Sequence, residues 1–337
     1  MDFDLSDDQL ALRDGARELL DGLASPAQVR AHAATGAGFD PGLWRGMAEQ
    51  GWLGVEVDEA RGGVGLGAVE VVVLCEELGR HAAPAPFLAT VLALDALAGD
   101  GDDRWSERLL AGDAIACVAW DADAPVPYAP SADIAVVLGG DGVYLQELTE
   151  RPRREPAMDL TRELGWLSFD PARARRLGGD DARTRLLDRG AAFTCADLLG
   201  SAGRALDMAV EYAKERVQFG RPIGSFQAVK HRCADMLVDV EGMRSTAYWA
   251  AWCIGAGDAD ASIAASTAKV WCSDASKRVM ASALQVHGGI GFTWEHDLHF
   301  FMKRAQLDQL AFGDASFHRA RLAQLLRPRV EAGDSVV

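Results

Sequence analysis

Two stretches of the chain carry side chains that could hold an anionic, partly aromatic ligand. The first is Glu215-Arg216-Val217-Gln218-Phe219-Gly220-Arg221-Pro222-Ile223-Gly224-Ser225-Phe226-Gln227, an arginine at a helix end beside an aromatic and a glycine-rich turn. The Arg216 guanidinium is a planar fork that matches phosphate oxygens, and Phe219 offers an apolar contact. The same residues also suit a plainer role, Arg216 capping its own helix and Phe219 lying in the core. The second stretch is Gln285-Val286-His287-Gly288-Gly289-Ile290-Gly291-Phe292. Its glycines let backbone approach a ligand closely, and the Gln285 amide can bond to that ligand. A glycine cluster after a helix is also an ordinary C-cap.

The elements that must position these residues are mostly helices. Ser6-Asp7-Asp8-Gln9 reads as a capping box with two carboxylates at the positive helix end, and Leu10, Leu12, Ala16, Leu19, Leu20 and Leu23 continue at helical spacing. A second amphipathic stretch holds Leu43, Trp44, Met47 and Ala48 before Gly51 stops it, and a helix is expected from about Ala68 to Arg80. From about Asp113 to Asp170 the β-type runs Ile115–Trp120, Ile134–Leu138 and Val143–Leu148 alternate with Pro, Gly and Asp clusters, which predicts a small β region of a few strands. Helical periodicity returns from about Thr184 to Arg216 and breaks at Gly220–Gly224. It resumes through Val229, Cys233, Met236, Leu237, Val240, Met243, Ala247 and Ala250, with further helices from about Ala259 and after Gly313. Four helices with short connections predict a bundle. The expected organisation is a mainly α protein with a small β-domain: a helical domain over residues 1–112, a reduced middle β-domain over 113–180 and a helical bundle over 181–337.

Together and in order, these stretches resemble the acyl-CoA dehydrogenase family, whose members have an N-terminal helical domain, a middle β-domain and a C-terminal four-helix bundle. The resemblance covers Met1–Leu20 and Trp44–Phe87, including Gly51-Trp52-Leu53-Gly54, Gly62-Gly63-Val64-Gly65 and Glu76-Glu77-Leu78-Gly79, and then residues from about Ala191 onward. It implies FAD as cofactor and an acyl-CoA substrate, with electrons passing to an acceptor flavoprotein. It also implies that Arg216, Phe219, Gln285, Gly288 and Gly289 grip the ADP half of an FAD seated in a neighbouring subunit.

Three departures from the family pattern shape the functional expectation. Nothing between Asp113 and Asp170 matches the L-T-E-P…G-S-D or K-x-W-I-T stretches that hold the flavin ring and the thioester. The α-proton of the substrate must go to an ionisable oxygen while hydride leaves the β-carbon for the flavin. Laying Met302–Ser316 on the family's Y-E-G-T-S motif without gaps puts Phe312 where the glutamate base belongs, and the alternative base position on the first bundle helix falls at Gly190. Asp314 falls where a threonine helps bind the FAD phosphates, and a carboxylate there repels pyrophosphate. The resulting expectation is a subunit without its own base that shares FAD with a second, base-bearing dehydrogenase subunit. It resembles the short subunit of heteromeric α2β2 enzymes acting on CoA esters of steroid side chains. The rival readings are a self-sufficient homomeric dehydrogenase with Asp314 as relocated base, and a structural homologue that binds no flavin.

Composition narrows the remaining classes. In 337 residues, 34 basic against 50 acidic side chains give a net charge of −16, which disfavours nucleic-acid binding. No apolar run approaches a membrane span, and the six cysteines lack any C-x-x-C pair, so reduced, buried thiols in a cytoplasmic protein are expected. His296 and His299 flank an expected helix start and, with His287 and Asp297, lack the support a metal site requires, so no metal is expected. Arg151-Pro152-Arg153-Arg154 reads as a solvated loop, and Trp44, Trp52, Trp249, Trp252 and Trp271 as core or interface. Gly62–Gly67 follows no strand and is not read as a dinucleotide fingerprint.

Overall fold

The computed structural model describes residues 4–99, 101, 103–121 and 123–333. Helix α1 (Asp7–Leu23) starts where the acidic first turn predicts it, and Gln9 Nε2 donates to Glu70 Oε1 at 2.7 Å. The periodicity did not predict α2 (Pro26–Thr35), which is nucleated locally: the Ser25 N–H donates to Gln28 Oε1 at 3.0 Å, and Pro26 pre-sets the first helical φ. Helix α3 (Pro41–Glu49) is capped by Asp40 Oδ1, which accepts from the N–H groups of Gly42 and Leu43 at 2.8 and 2.9 Å. The glycine run Gly62–Gly67 then folds back on residues 54–57 through backbone bonds. A Cβ on Gly63 would sit 1.9 Å from the Val57 carbonyl oxygen, so close backbone packing accounts for that glycine. Helices α4 (Ala68–Arg80), α5 (Phe87–Ala96) and α6 (Asp103–Leu110) follow.

The middle of the chain forms β1 (Ala116–Ala119), β2 (Val126–Pro127), β3 (Ile134–Leu138), β4 (Val143–Glu147), β5 (Arg154–Glu155), β6 (Leu164–Gly165) and β7 (Arg175–Gly178). One sheet has the order β1-β3-β4-β7, with β1 and β3 parallel and the other pairs antiparallel; a second has the order β2-β6-β5. The Pro and Gly clusters cut the region into short pieces, which is why two small sheets form. Strand β1 is buried along its whole length and packs on α5, a helix apolar nearly all round.

The bundle begins with α7 (Asp180–Glu215), 36 residues long, followed by the hairpin β8 (Val217–Gln218) and β9 (Arg221–Pro222). Helices α8 (Gln227–Gly255), α9 (Ala261–His287), α10 (Leu298–Leu310) and α11 (Ala315–Ala332) complete it. Helix α10 begins between His296 and His299, where a helix start is expected, although its further course was not counted among the bundle helices. Its buried face mixes Phe300, Phe301 and Ala305 with Arg304 and Asp308, which breaks the apolar period. Helix α9 is central: α8, α10 and α11 all pack on it, and its Ala264, Ala268, Cys272, Ala275, Val279 and Ala283 are buried small side chains that let those neighbours come close.

The chain divides into two compact units, one gathering Gln9–Val71 and Ala83–Gly190, the other holding Val72–Ala82 with the chain from Ala191 onward. In the first, Arg189 lies buried between Glu56 and Asp95, and burial pushes the Glu56 carboxyl above its usual range despite the nearby guanidinium. In the second, α4 and α7 cross with backbones almost touching: a Cβ on Gly200 would lie 1.8 Å from the Glu76 carbonyl oxygen, and one on Gly79 would lie 2.1 Å from that of Asp197. Beside the crossing, Arg304 grips Asp197 through two bonds of 2.6 and 2.7 Å, both side chains buried.

Candidate nucleotide clamp and the displaced base position

Arg216 follows the last residue of α7, and its N–H still donates to the Tyr212 carbonyl at 2.8 Å. The register Val217↔Pro222 and Gln218↔Arg221 leaves Phe219-Gly220 as a two-residue loop, and both residues have positive φ, 54° and 79°. That is the type I′ hairpin turn, in which a non-glycine residue costs roughly 1–2 kcal/mol. Phe219 is also 92% exposed, so the plainer reading that puts it in the core is overturned: it rides at the tip of the turn. Leaving such a ring in water forgoes about 1.5–3 kcal/mol of burial. Phe226 lies edge-on to it at 6.1 Å, which leaves most of the Phe219 ring open to a ligand.

Seven arginines of this unit, Arg80, Arg204, Arg244, Arg278, Arg304, Arg319 and Arg329, each meet a carboxylate, and Arg221 stacks over the Phe226 ring at 4.2 Å. The exposed guanidinium of Arg216 meets none among the described residues, and the same is true of the exposed Gln285 carboxamide. Gln285 lies in the last turn of α9, whose end is closed by the Gly288 N–H donating to the Leu284 carbonyl. Gly288 takes φ 61° and ψ −139°, a conformation that side chains other than glycine's avoid. Gly289 is exposed, and a Cβ on it would meet nothing within 4 Å, so its backbone is open to a ligand.

The ends of α7 and α9 are brought together by aromatic packing. Tyr212 and His287 stack with centroids 4.9 Å apart and planes 26° apart, and His296 lies 4.4 Å beyond His287. The structure therefore places Arg216 and Phe219 at the same end of the bundle as Gln285, Gly288 and Gly289. This donor set is an unpaired guanidinium, an unpaired carboxamide, an open glycine backbone and an exposed ring. It fits the diphosphate and adenosine half of a dinucleotide.

Phe312 and Asp314 lie elsewhere, in the connection between α10 and α11. Phe312 is 6% exposed with φ 54°, Gly313 has φ 94°, and the Phe312 carbonyl accepts from His318 Nε2 at 2.8 Å. Burial, opposed by that bond, lowers the His318 pKa to about 4, so the ring is neutral at physiological pH. The exposed Asp314 is the N-cap of α11, its Oδ1 accepting from the Phe317 N–H at 2.8 Å. Just before the connection, the fully buried Lys269 of α9 donates to the carbonyls of Asp308 and Gln309 at 2.5 and 3.3 Å, satisfying the C-terminal end of α10. Burial holds its ammonium below the usual lysine range. Lys269 and His287 mark the two regions on α9, and at 1.5 Å per residue they stand roughly 27 Å apart. The sequence reading missed both Lys269 and His318. A lysine between Ala268 and Val270 in a small-residue helix was the available signal.

The other sequence candidates have plain placements. Arg151 pairs with Asp133 at 3.2 Å and Arg154 reaches the Ala37 carbonyl at 3.3 Å. No group of three or more potential metal ligands occurs among the described residues. No described helix is long and apolar enough to cross a membrane. All cysteines are free and all but Cys233 are buried. Trp44 and Trp52 are buried, whereas Trp252 and Trp271 are each 39% exposed.

Comparison with known proteins bears on this geometry. Residues 6–114 match the N-terminal domain of acyl-CoA dehydrogenase and residues 178–326 match its C-terminal domain. The chain is 37% identical over 306 residues to acyl-CoA dehydrogenase IpdE2 of Mycolicibacterium smegmatis, covering 89% of this chain and 93% of that protein. The crystal structure of the ChsE4-ChsE5 complex from Mycobacterium tuberculosis matches with a TM-score of 0.87 and 31% identity, over 97% of this chain and 99% of that one. A variant of the Tcur3481-Tcur3483 steroid ACAD matches with a TM-score of 0.87 and 30% identity, over 96% and 99%.

Proposed function

This chain belongs to the acyl-CoA dehydrogenase family, and we propose that it is the clamp-bearing subunit of a heteromeric, FAD-dependent acyl-CoA dehydrogenase. One observation carries this reading. Arg216 and Gln285, without a side-chain partner among the described residues, stand with the open Gly289 backbone at one end of the bundle, while Phe312, expected at the base position, is buried about 27 Å away along α9. Bound flavin would supply the hydride acceptor for α,β-dehydrogenation of a CoA thioester. Arg216 would fork onto the diphosphate, Gln285 and the Gly288-Gly289 backbone would bond its oxygens, and Phe219 would cover the adenosine end. The FAD is shared: this chain grips the nucleotide, and the partner dehydrogenase subunit seats the ring and provides the carboxylate that takes the α-proton.

The alternative base Asp314 already caps α11 through the Phe317 N–H, which counts against its acting on a substrate. Pairing is supported by two heteromeric relatives, the ChsE4-ChsE5 complex and the Tcur3481-Tcur3483 steroid ACAD. The second also makes a CoA ester of a steroid side chain the substrate to try first, in an α2β2 assembly. The test is to express the chain alone and with a candidate base-bearing subunit, then count FAD per complex. The expected result is little flavin in the chain alone and a full site in the complex that Arg216→Ala empties. Flavin-loaded, dehydrogenating chain by itself would overturn the reading.

A further inference from the structure

His287 has no part in the clamp as described, yet it is the residue on which the two halves of the clamp meet. Its ring is 3% exposed, and Nδ1–H donates to the Ala283 carbonyl one turn back in α9 at 2.8 Å, which fixes the ring's rotation. The ring stacks on Tyr212 of α7, His296 lies tilted against it at 4.4 Å, and the Met208 carbonyl of α7 also lies beside it. Backbone links run outward from this stack in both directions. The Tyr212 carbonyl holds the Arg216 N–H at 2.8 Å, and His287 is directly followed by Gly288. A shift of the imidazole therefore moves the Arg216–Phe219 hairpin relative to the Gly288-Gly289 turn. Burial lowers the His287 pKa and so favours its neutral form.

We propose that His287 is a positioning residue that sets the spacing between the arginine half and the glycine half of the nucleotide clamp. The proposal rests on the reading of Arg216, Gln285 and Gly289 as that clamp. A flat ring is what the position requires: Tyr212 stacks on a planar partner, and an aliphatic side chain of similar volume lets the two helix ends slide.

The experiment is titration of FAD into the deflavinated heteromeric complex, with assembly followed separately by size-exclusion chromatography. His287→Leu is expected to leave assembly intact and weaken FAD binding about tenfold, whereas His287→Phe, which keeps the ring, stays within about twofold. Tyr212→Leu removes the stack from the α7 side and gives the same loss, so the outcome does not depend on one variant folding. In an Arg216→Ala background, His287→Leu costs less than about threefold, because the two act through the same contact. A filler of core volume would instead lower the melting temperature and leave FAD affinity alone. Wild-type FAD affinity in both His287→Leu and Tyr212→Leu, or losses that simply multiply with Arg216→Ala, would overturn the positioning role. If Arg216→Ala itself binds FAD normally, the clamp reading fails first and the proposal falls with it.

Discussion

Alanine at position 200 tests how tightly the α4–α7 crossing is built. Within a helix, Gly→Ala ordinarily stabilises by about 0.5–1 kcal/mol, because alanine loses less backbone freedom on folding. At Gly200 the added Cβ would lie 1.8 Å from the Glu76 carbonyl oxygen and 2.6 Å from the Arg80 nitrogen, both backbone atoms of a rigid helix. Reaching even a marginal 3.0 Å requires the helices to part by more than 1 Å. That movement would strain the buried contacts beside the crossing, including Arg304 with Asp197. Overpacking of this kind costs about 1–3 kcal/mol or more, so the propensity gain is outweighed. Gly203, one turn along the same helix, has nothing within 4 Å of its Cβ position and serves as the control. Gly203→Ala is expected to raise the denaturation midpoint slightly, and Gly200→Ala to lower it, with a gap of roughly 2–4 kcal/mol between them. Because the chain forms two compact units, hydrogen exchange of the α4 and α7 amides should accompany the urea titration, to assign the loss to this crossing. Equal effects of the two substitutions would refute the backbone-contact argument.

Three further outcomes follow from buried groups. The His318 pKa is lowered to about 4 from 6.5, so its contribution to stability is full above pH 6.5 and is lost as pH falls through 6.5 toward 4. The total is about 3 kcal/mol, and His318→Gln should flatten the pH–stability curve by that amount within the window; an unchanged curve would contradict it. Asp197→Asn leaves the Arg304 guanidinium buried with half its pairing removed and should destabilise by about 3–5 kcal/mol in thermal unfolding, while the double change Asp197→Leu with Arg304→Met should recover much of that loss. Of the six free cysteines only Cys233 is not buried, and burial still raises its thiol pKa. Titration with a thiol reagent should therefore find one slowly reacting group in the native protein and all six after denaturation.

The sequence made some elements legible and hid others for identifiable reasons. Helices α3 and α4 and the strands β1, β3 and β4 stand close to where periodicity puts them, because each has one clear apolar face or a continuous buried run. Helix α2 escaped because only Val29 and His32 are buried in it, so capping rather than patterning defines it. Of α10 only the start was legible, because Arg304 and Asp308 occupy buried positions that the pattern assigns to apolar side chains. In α8 the periodicity runs through Val229, Cys233 and Leu237 as if all were core, yet Leu237 is 51% exposed. A single chain shows which positions are apolar, and it cannot show which of them an element of the same chain covers.

The clamp residues posed a similar ambiguity, since an arginine at a helix end and a glycine pair after another helix each have an ordinary structural use. What separates the uses is tertiary: whether the guanidinium finds a carboxylate, whether the ring turns inward, and whether two helix ends distant in sequence converge. Arg216 finds none among the described residues, Phe219 turns outward, and the Tyr212–His287 stack makes the ends converge. The connection that holds Phe312 depends on different contacts, Lys269 on the end of α10 and His318 on the Phe312 carbonyl, roughly 27 Å along α9. Because α9 is packed by small side chains along its length, each end keeps its geometry through its own neighbours. Phe312 can therefore be exchanged for other residues without disturbing Arg216 or Gly289, which is the physical condition that the proposed division of one active site between two polypeptides requires.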